Sequence, residues 1–155
     1  KKLQMSQDGR MVSDGRRVAV KDLVSVVQML KYSAENMSES TVGVVLTRVG
    51  TLIAAKEFES LKGNGKQVAS SCLESMSIKG WGLFSADPEP TGGEVVLKNS
   101  AIAQEYAVRG LRVDYLAVGM ITAVYEKAFN RRYLVREIKC IANGDGEGRC
   151  TVKPL

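Results

Sequence analysis

Arg132-Tyr133-Leu134-Val135-Arg136-Glu137-Ile138-Lys139-Cys140-Ile141, followed by Gly144-Asp145-Gly146-Glu147-Gly148-Arg149-Cys150, is the stretch from which the fold is read. The first run is dense in β-branched and aromatic residues. Asn143-Gly144 and Asp145-Gly146 supply the left-handed backbone that a hairpin loop needs. Cys140 and Cys150 lie symmetrically about Asp145, so paired strands would bring the two thiols nearly opposite each other. Two soft ligands and the carboxylate of Glu137, held on a rigid ladder, make a candidate metal seat.

Working outward, the segment Asp114 to Phe129 is apolar on most sides through its first turns, which predicts a helix buried on more than one face. Upstream, Trp81, Leu83 and Phe84 precede the turn-rich Asp87-Pro88-Glu89-Pro90-Thr91-Gly92-Gly93, and Glu94 to Lys98 reads as a second strand. That is a hairpin with a long, flexible tip. The segment Ser100 to Tyr106 carries no decisive pattern.

The first half reads as helical. Asp22 is placed to cap a helix with Leu23, Val26, Val27 and Leu30 on one stripe. Ser38 or Ser40 caps a longer one, with Val42, Val45, Leu46, Val49, Ile53 and Phe58 on one face, stopped at Lys62-Gly63-Asn64-Gly65. A third, from Lys66 to Met76, would bury Val68, Cys72, Leu73 and Met76. Residues 1–19 are polar and Gly-containing, an N-terminal arm or edge strand, and 20–155 read as a single domain. Helices first, hairpins last and a buried helix between them predict an α+β fold: an antiparallel sheet with helices packed on one face.

From Gly80 to Val152 the pattern resembles a known family, most specifically at its C-terminal end. The order of a helix containing Gly119, a strand carrying Glu137-x-x-Cys140, then Gly144-Asp145 leading to Cys150 resembles the 4-vinyl-reductase (hydrocarbon-binding) domain. That domain occurs alone in archaea and bacteria and as the sensor half of aromatic-responsive transcriptional activators. Its fold is related to the transport-particle subunits of Golgi trafficking. The resemblance implies a module that binds a small hydrophobic or aromatic molecule as sensor or carrier, and a homodimer. It also implies a structural zinc held by Asp114, Glu137, Cys140 and Cys150. The family places a cysteine where this chain has Asp114, so the donor set here is harder.

The residues alone leave alternatives open. Glu137 and Cys140 are three apart and point to opposite faces of a regular strand, so they share an ion only if the strand bulges or ends between them. Otherwise Cys140 and Cys150 are an inert buried pair, or a disulfide, with Glu137 a solvated charge beside Arg136 or Arg149. Gly80-Trp81-Gly82 resembles the family's Gly-x-Gly element. With Phe84, and with Leu116, Gly119, Met120 and Val124 facing it, that element forms the candidate ligand pocket; the plainer reading makes the same side chains core.

Composition narrows the function classes. The chain has 155 residues, 45% hydrophobic and 25% charged, which suits one soluble globular domain. Its first residue is Lys1, as expected of a piece of a longer chain. No apolar run approaches the ~20 residues of a membrane span, no secretory signal is visible, and three cysteines make no disulfide framework; a cytoplasmic protein is expected. The net charge of +5 is scattered among acids, which argues against direct nucleic-acid binding. With no histidine, Ser-His-Asp and Cys-His catalysis and a proximal-His haem are excluded. Cys72 therefore reads as a core thiol.

Two further functions stand as alternatives. One is an enzyme of the vinyl-reductase type acting on a tetrapyrrole, for which no flavin, nicotinamide or iron–sulfur signature is present. The other is an interaction or dimerisation module that takes no ligand. No catalytic residue is assigned.

Overall fold

The computed structural model describes residues 4–5, 11–13, 16–18, 28, 31–32, 35–106 and 113–155. The expected helix capped by Asp22 lies largely outside the described residues. At the N-terminal end, β1 (Gln4–Met5), β2 (Met11–Ser13) and β3 (Arg16–Val18) pair antiparallel with one another as a small sheet of their own.

Helix α1 spans Glu39–Glu57 because Ser38 is extended and caps it, accepting from the Thr41 amide at 3.3 Å. Its buried residues are Val42, Gly43, Gly50 and Ala54. Val45, Val49 and Ile53, expected to face inward, are exposed. The reason is backbone proximity. α1 packs along α4 (Tyr115–Phe129) so closely that a Cβ at Gly119 would overlap the Thr47 carbonyl, and one at Gly50 the Leu116 carbonyl. Only the face with small residues allows that approach.

Helix α2 (Gly65–Ile78) buries Ala69, Cys72, Leu73 and Met76, close to expectation. Helix α3 (Ala101–Tyr106) is short. Ten of the fifteen residues of α4 are buried, and it ends at Asn130 in the left-handed region. These helices cover one face of a four-stranded antiparallel sheet in the order β4-β5-β7-β6, with β4 Leu83–Ala86, β5 Gly93–Lys98, β6 Tyr133–Lys139 and β7 Gly148–Pro154. The alternation is that of a one-sided sheet. Phe84, Val95, Leu97, Tyr133, Val135, Cys150 and Val152 point into the core, while Glu94, Lys98, Leu134, Arg136 and Lys153 do not. The architecture is α+β.

The connection from β4 to β5 is tied down rather than a long flexible tip. Pro88 and Gly92 are buried, Gly92 N–H donates to the Glu89 carbonyl at 2.9 Å, and Tyr133 Oη donates to the Pro90 carbonyl at 2.8 Å. Lys66 adds ion pairs with Asp87 and, at 2.9 Å, Glu89. Polar turn residues signal a turn; they do not reveal that a tyrosine forty residues later will anchor it.

Candidate functional site

Three chain segments converge at the start of α4. Asp114 is its N-cap residue, 2% exposed, and its carbonyl accepts from the Val118 amide at 2.9 Å. The Asp114 side chain does not cap the helix. Its Oδ1 accepts the Ser100 hydroxyl at 2.6 Å, and its Oδ2 is buried with no hydrogen-bond partner among the described residues. Ser100 itself is 1% exposed and receives the Ala103 amide, so one hydroxyl both starts α3 and fixes the Asp114 carboxyl. Burial pushes the Asp114 carboxyl above the ordinary carboxylate range, and the Ser100 hydrogen bond pulls it part of the way back.

Glu137 and Cys140 come from the end of β6. The register slips between Glu137 and Lys139, a bulge of the kind needed to turn both side chains to one side. Glu137 is 6% exposed and Cys140 1%. Cys140 is set by its neighbours: its N–H donates to Asp145 Oδ2 at 2.8 Å, and its carbonyl accepts from Asn143 and Asp145. Burial, then the hydrogen bond with Glu137, raise the Cys140 thiol from 9.0 to about 11, while the Val113 and Ala142 backbones favour its thiolate. A 3-10 turn, Ile141–Asn143, follows it.

Ligand atoms of Asp114, Glu137 and Cys140 all lie within 4.8 Å of one another. In a tetrahedral zinc site two ligand atoms stand roughly 3.3–3.8 Å apart, so atoms at the outer end of that 4.8 Å span must draw together by about 1 Å to share one ion. Cys150 does not stand opposite Cys140; the register of the hairpin, shifted one residue by the bulge, pairs it with Glu137. Its thiol is pushed well above the usual range, first by burial and then by the charges of Glu137, Asp114 and Cys140, which makes it a neighbour of the trio rather than part of it. All three cysteines are free thiols. Two carboxylates, a thiol and a second thiol alongside are a fitting donor set for zinc, and the orphaned Asp114 Oδ2 is an atom such an ion would satisfy.

Beside this cluster lies an open groove of 790 Å³. One wall is α1, through Glu39, Ser40, Gly43, Val44, Thr47, Arg48 and Thr51, a stripe at helical spacing. Tyr115 and Val118 of α4 and Val135, Arg136 and Glu137 of β6 complete it. Tyr115 lies over Gly43, where a Cβ would sit 2.9 Å from its ring, and its hydroxyl donates to Glu39 Oε1 at 3.3 Å. Glu137 thus belongs to both the cluster and the groove.

The residues read from sequence as a pocket lie elsewhere. Phe84, Leu116, Met120 and Val124 are in the core with Trp81 packed against them, and none of the eight lines the groove. Gly82 faces Leu97, Gly119 faces α1, and Gly80 is exposed. Deeper in the core, the Tyr125 hydroxyl is buried with no partner among the described residues, and burial raises it to about 12. Cys72 is fully buried and raised by that burial to about 11. Sequence reasoning missed Ser100, and it read Asp145 as a loop and motif residue without its contact to the Cys140 amide.

No protein-family model matches the chain, and no curated protein matches it. Solved structures do. The chain is similar to the phenol-responsive sensory domain of the transcription activator PoxR, solved with phenol, at 17% identity and a TM-score of 0.76, over 98% of this chain and 84% of that one. It is similar to a vinyl-4-reductase family protein from Methanocaldococcus jannaschii at 14% identity and a TM-score of 0.58, over 88% and 84% of the two chains. A trafficking protein particle complex subunit 3 from Naegleria fowleri, covalently bound to palmitic acid, aligns at 14% identity and a TM-score of 0.56, over 86% and 95%. The chain has the fold that these sensory, vinyl-4-reductase-family and trafficking proteins share.

Proposed function

We propose that the chain binds a small hydrophobic or aromatic molecule as a sensor or carrier module, with a structural zinc ion holding the β6–β7 hairpin to the start of α4. The observation that carries this reading is the sharing of Glu137 between a ligand-sized groove and a buried donor cluster. The groove volume of 790 Å³ falls in the range of small-molecule sites, ~300–1,000 Å³. Val44, Val118 and Val135 offer apolar contact, while Thr47, Arg48 and Tyr115 can hydrogen-bond a polar head. Likeness in fold to a phenol-responsive sensory domain supports the same reading.

Asp114, Glu137 and Cys140 would hold the zinc, with Cys150 turning toward them as fourth ligand. A closed set of this kind leaves no open position, so the ion cross-links and does no chemistry on a guest. A guest in the groove touches Glu137 and so bears on the same cross-link. The wall of Trp81, Phe84, Leu116, Met120 and Val124 is a second place for a guest. The Tyr125 hydroxyl, buried in the same core with no partner among the described residues, is a group that a guest's own hydroxyl would satisfy.

Titration with phenol and with naphthalene, read by the single tryptophan, Trp81, and by melting temperature, tests this. A rise in melting temperature is expected. Val118→Trp should abolish it for a guest in the groove, and Met120→Trp for a guest in the core. No change in fluorescence or melting temperature with either probe contradicts ligand binding.

A homodimer through α1 is proposed alongside, because Val44, Val45, Val49, Leu52 and Ile53 are exposed on it. Light scattering should give twice the chain mass, and Val49→Glu with Ile53→Glu should halve it. No helix among the described residues is long and apolar enough to cross a membrane.

A further inference from the structure

We infer that Ser100 is a positioning residue for the proposed metal seat, holding Asp114 by Oδ1 so that Oδ2 alone is presented to the ion; this rests on the zinc reading above. Three observations carry it. The Ser100 hydroxyl donates to Asp114 Oδ1 at 2.6 Å, and both residues are buried. Asp114 Oδ2 is buried with no hydrogen-bond partner among the described residues, in a residue whose carboxylate lies within 4.8 Å of ligand atoms of Glu137 and Cys140. Gly148 of β7 passes close to it, and a Cβ there would lie 3.7 Å from Oδ2, so the oxygen is aimed at the sheet and not at solvent.

The chemistry explains why an aspartate needs such help. A thiolate offers a metal one sulfur and no choice of donor atom. A carboxylate offers two oxygens and rotates about its own axis, so it can turn both toward the ion or swing away. A hydrogen bond to one oxygen removes that freedom and leaves a single ligand atom in a set orientation, the role that groups around metal ligands commonly play. Ser100 is tied in turn. It accepts the Ala103 amide at 3.2 Å, and the next residue's amide, Ala101 N–H, donates to the Trp81 carbonyl at 3.2 Å. The orientation of Asp114 is therefore set by the start of α3 and by the strand-entry segment at Trp81, neither of which contributes a ligand. The hydroxyl at position 100 and the carboxylate at position 114 form one device.

The test is zinc affinity of the full chain, measured by competition with a chromogenic chelator, with melting in EDTA as the measure of folding. Ser100→Ala should weaken zinc binding by ~10–100-fold. Ser100→Thr, which keeps the hydroxyl, should stay within about threefold of wild type. Ser100→Gly retains a residue tolerated at helix starts and should lose affinity as Ser100→Ala does, which separates the metal effect from loss of the α3 cap. In an Asp114→Cys background, Ser100→Ala should have an effect below about threefold, because a thiolate has no second atom to hold. Wild type that takes up no zinc contradicts the metal seat itself. Wild type that binds zinc while Ser100→Ala binds equally well contradicts the role of Ser100 alone. Equal losses in the Asp114 and Asp114→Cys backgrounds also contradict it, making Ser100 only a helix cap.

Discussion

Along its middle, α4 presses Gly119 against the backbone of α1, with the carbonyl of Thr47 where a side chain would otherwise be. At its first turn the same helix meets the Cys140 loop and β6 through two carboxylates and a thiol, all buried. The first contact is optimised for closeness, and the second keeps a carboxylate oxygen without a partner among the described residues. Burying such an atom costs stability, roughly 1–3 kcal/mol. A region that bears such a cost is where a function is to be sought, and the glycine crossing is where the fold is held.

The sharpest way to break this contrast is at the crossing. Gly119→Val should destabilise by about 3 kcal/mol or more, since the new side chain meets backbone and not a movable side chain. Denaturant unfolding with and without zinc should show the loss in both conditions. At the other region the loss should depend on metal. Adding EDTA to the zinc-loaded chain should lower stability by about 3 kcal/mol when free zinc had stood a hundredfold above its dissociation constant. Cys140→Ala should remove that response.

The dry part of the core has its own signature in alkali. The folded Cys72 thiol stands at about 11, above the ordinary 9.0, because it is buried. Its contribution is therefore complete below pH 9 and is lost as pH rises through 11. That corresponds to about 1 kcal/mol near pH 10, and Cys72→Ala should flatten the fall there. Iodoacetamide at pH 8 should label Cys72 only on unfolding. Ser38→Ala, which removes the α1 cap, should cost about 1 kcal/mol whether or not zinc is present. The smallest effect should reverse sign between conditions. In EDTA, Asp114→Asn should leave stability unchanged or raise it by up to about 1 kcal/mol, because it removes a buried carboxylate from beside Glu137. With zinc present it should weaken binding.

Much of this was readable from residue order. The strands at Leu83–Ala86, Gly93–Lys98 and Tyr133–Lys139 follow β-branched and aromatic runs between turn residues, and α4 follows its all-round apolarity. The packed face of α1 was not readable. Hydrophobic periodicity points to Val45, Val49 and Ile53, whereas close helix contact selects Gly43, Gly50 and Ala54, which carry almost no hydrophobic signal. At the site, the requirement for a bulge between Glu137 and Cys140 was legible from their spacing of three. The pairing of Cys150 with Glu137 and not with Cys140 was not, because the hairpin closes about Gly144 through the 3-10 turn Ile141–Asn143, and the bulge then moves the register one residue further. Ser100 was invisible for a different reason: its importance lies in one contact with a residue fourteen positions away.

The most direct measurement is a native mass spectrum of the full chain after incubation with zinc and desalting, set against its denatured mass. An excess of one zinc per chain is expected, lost in Cys140→Ala and reduced in Asp114→Asn. A chain that carries no zinc, or one that retains it equally in both variants, would contradict the assignment of Asp114, Glu137 and Cys140 as a metal seat.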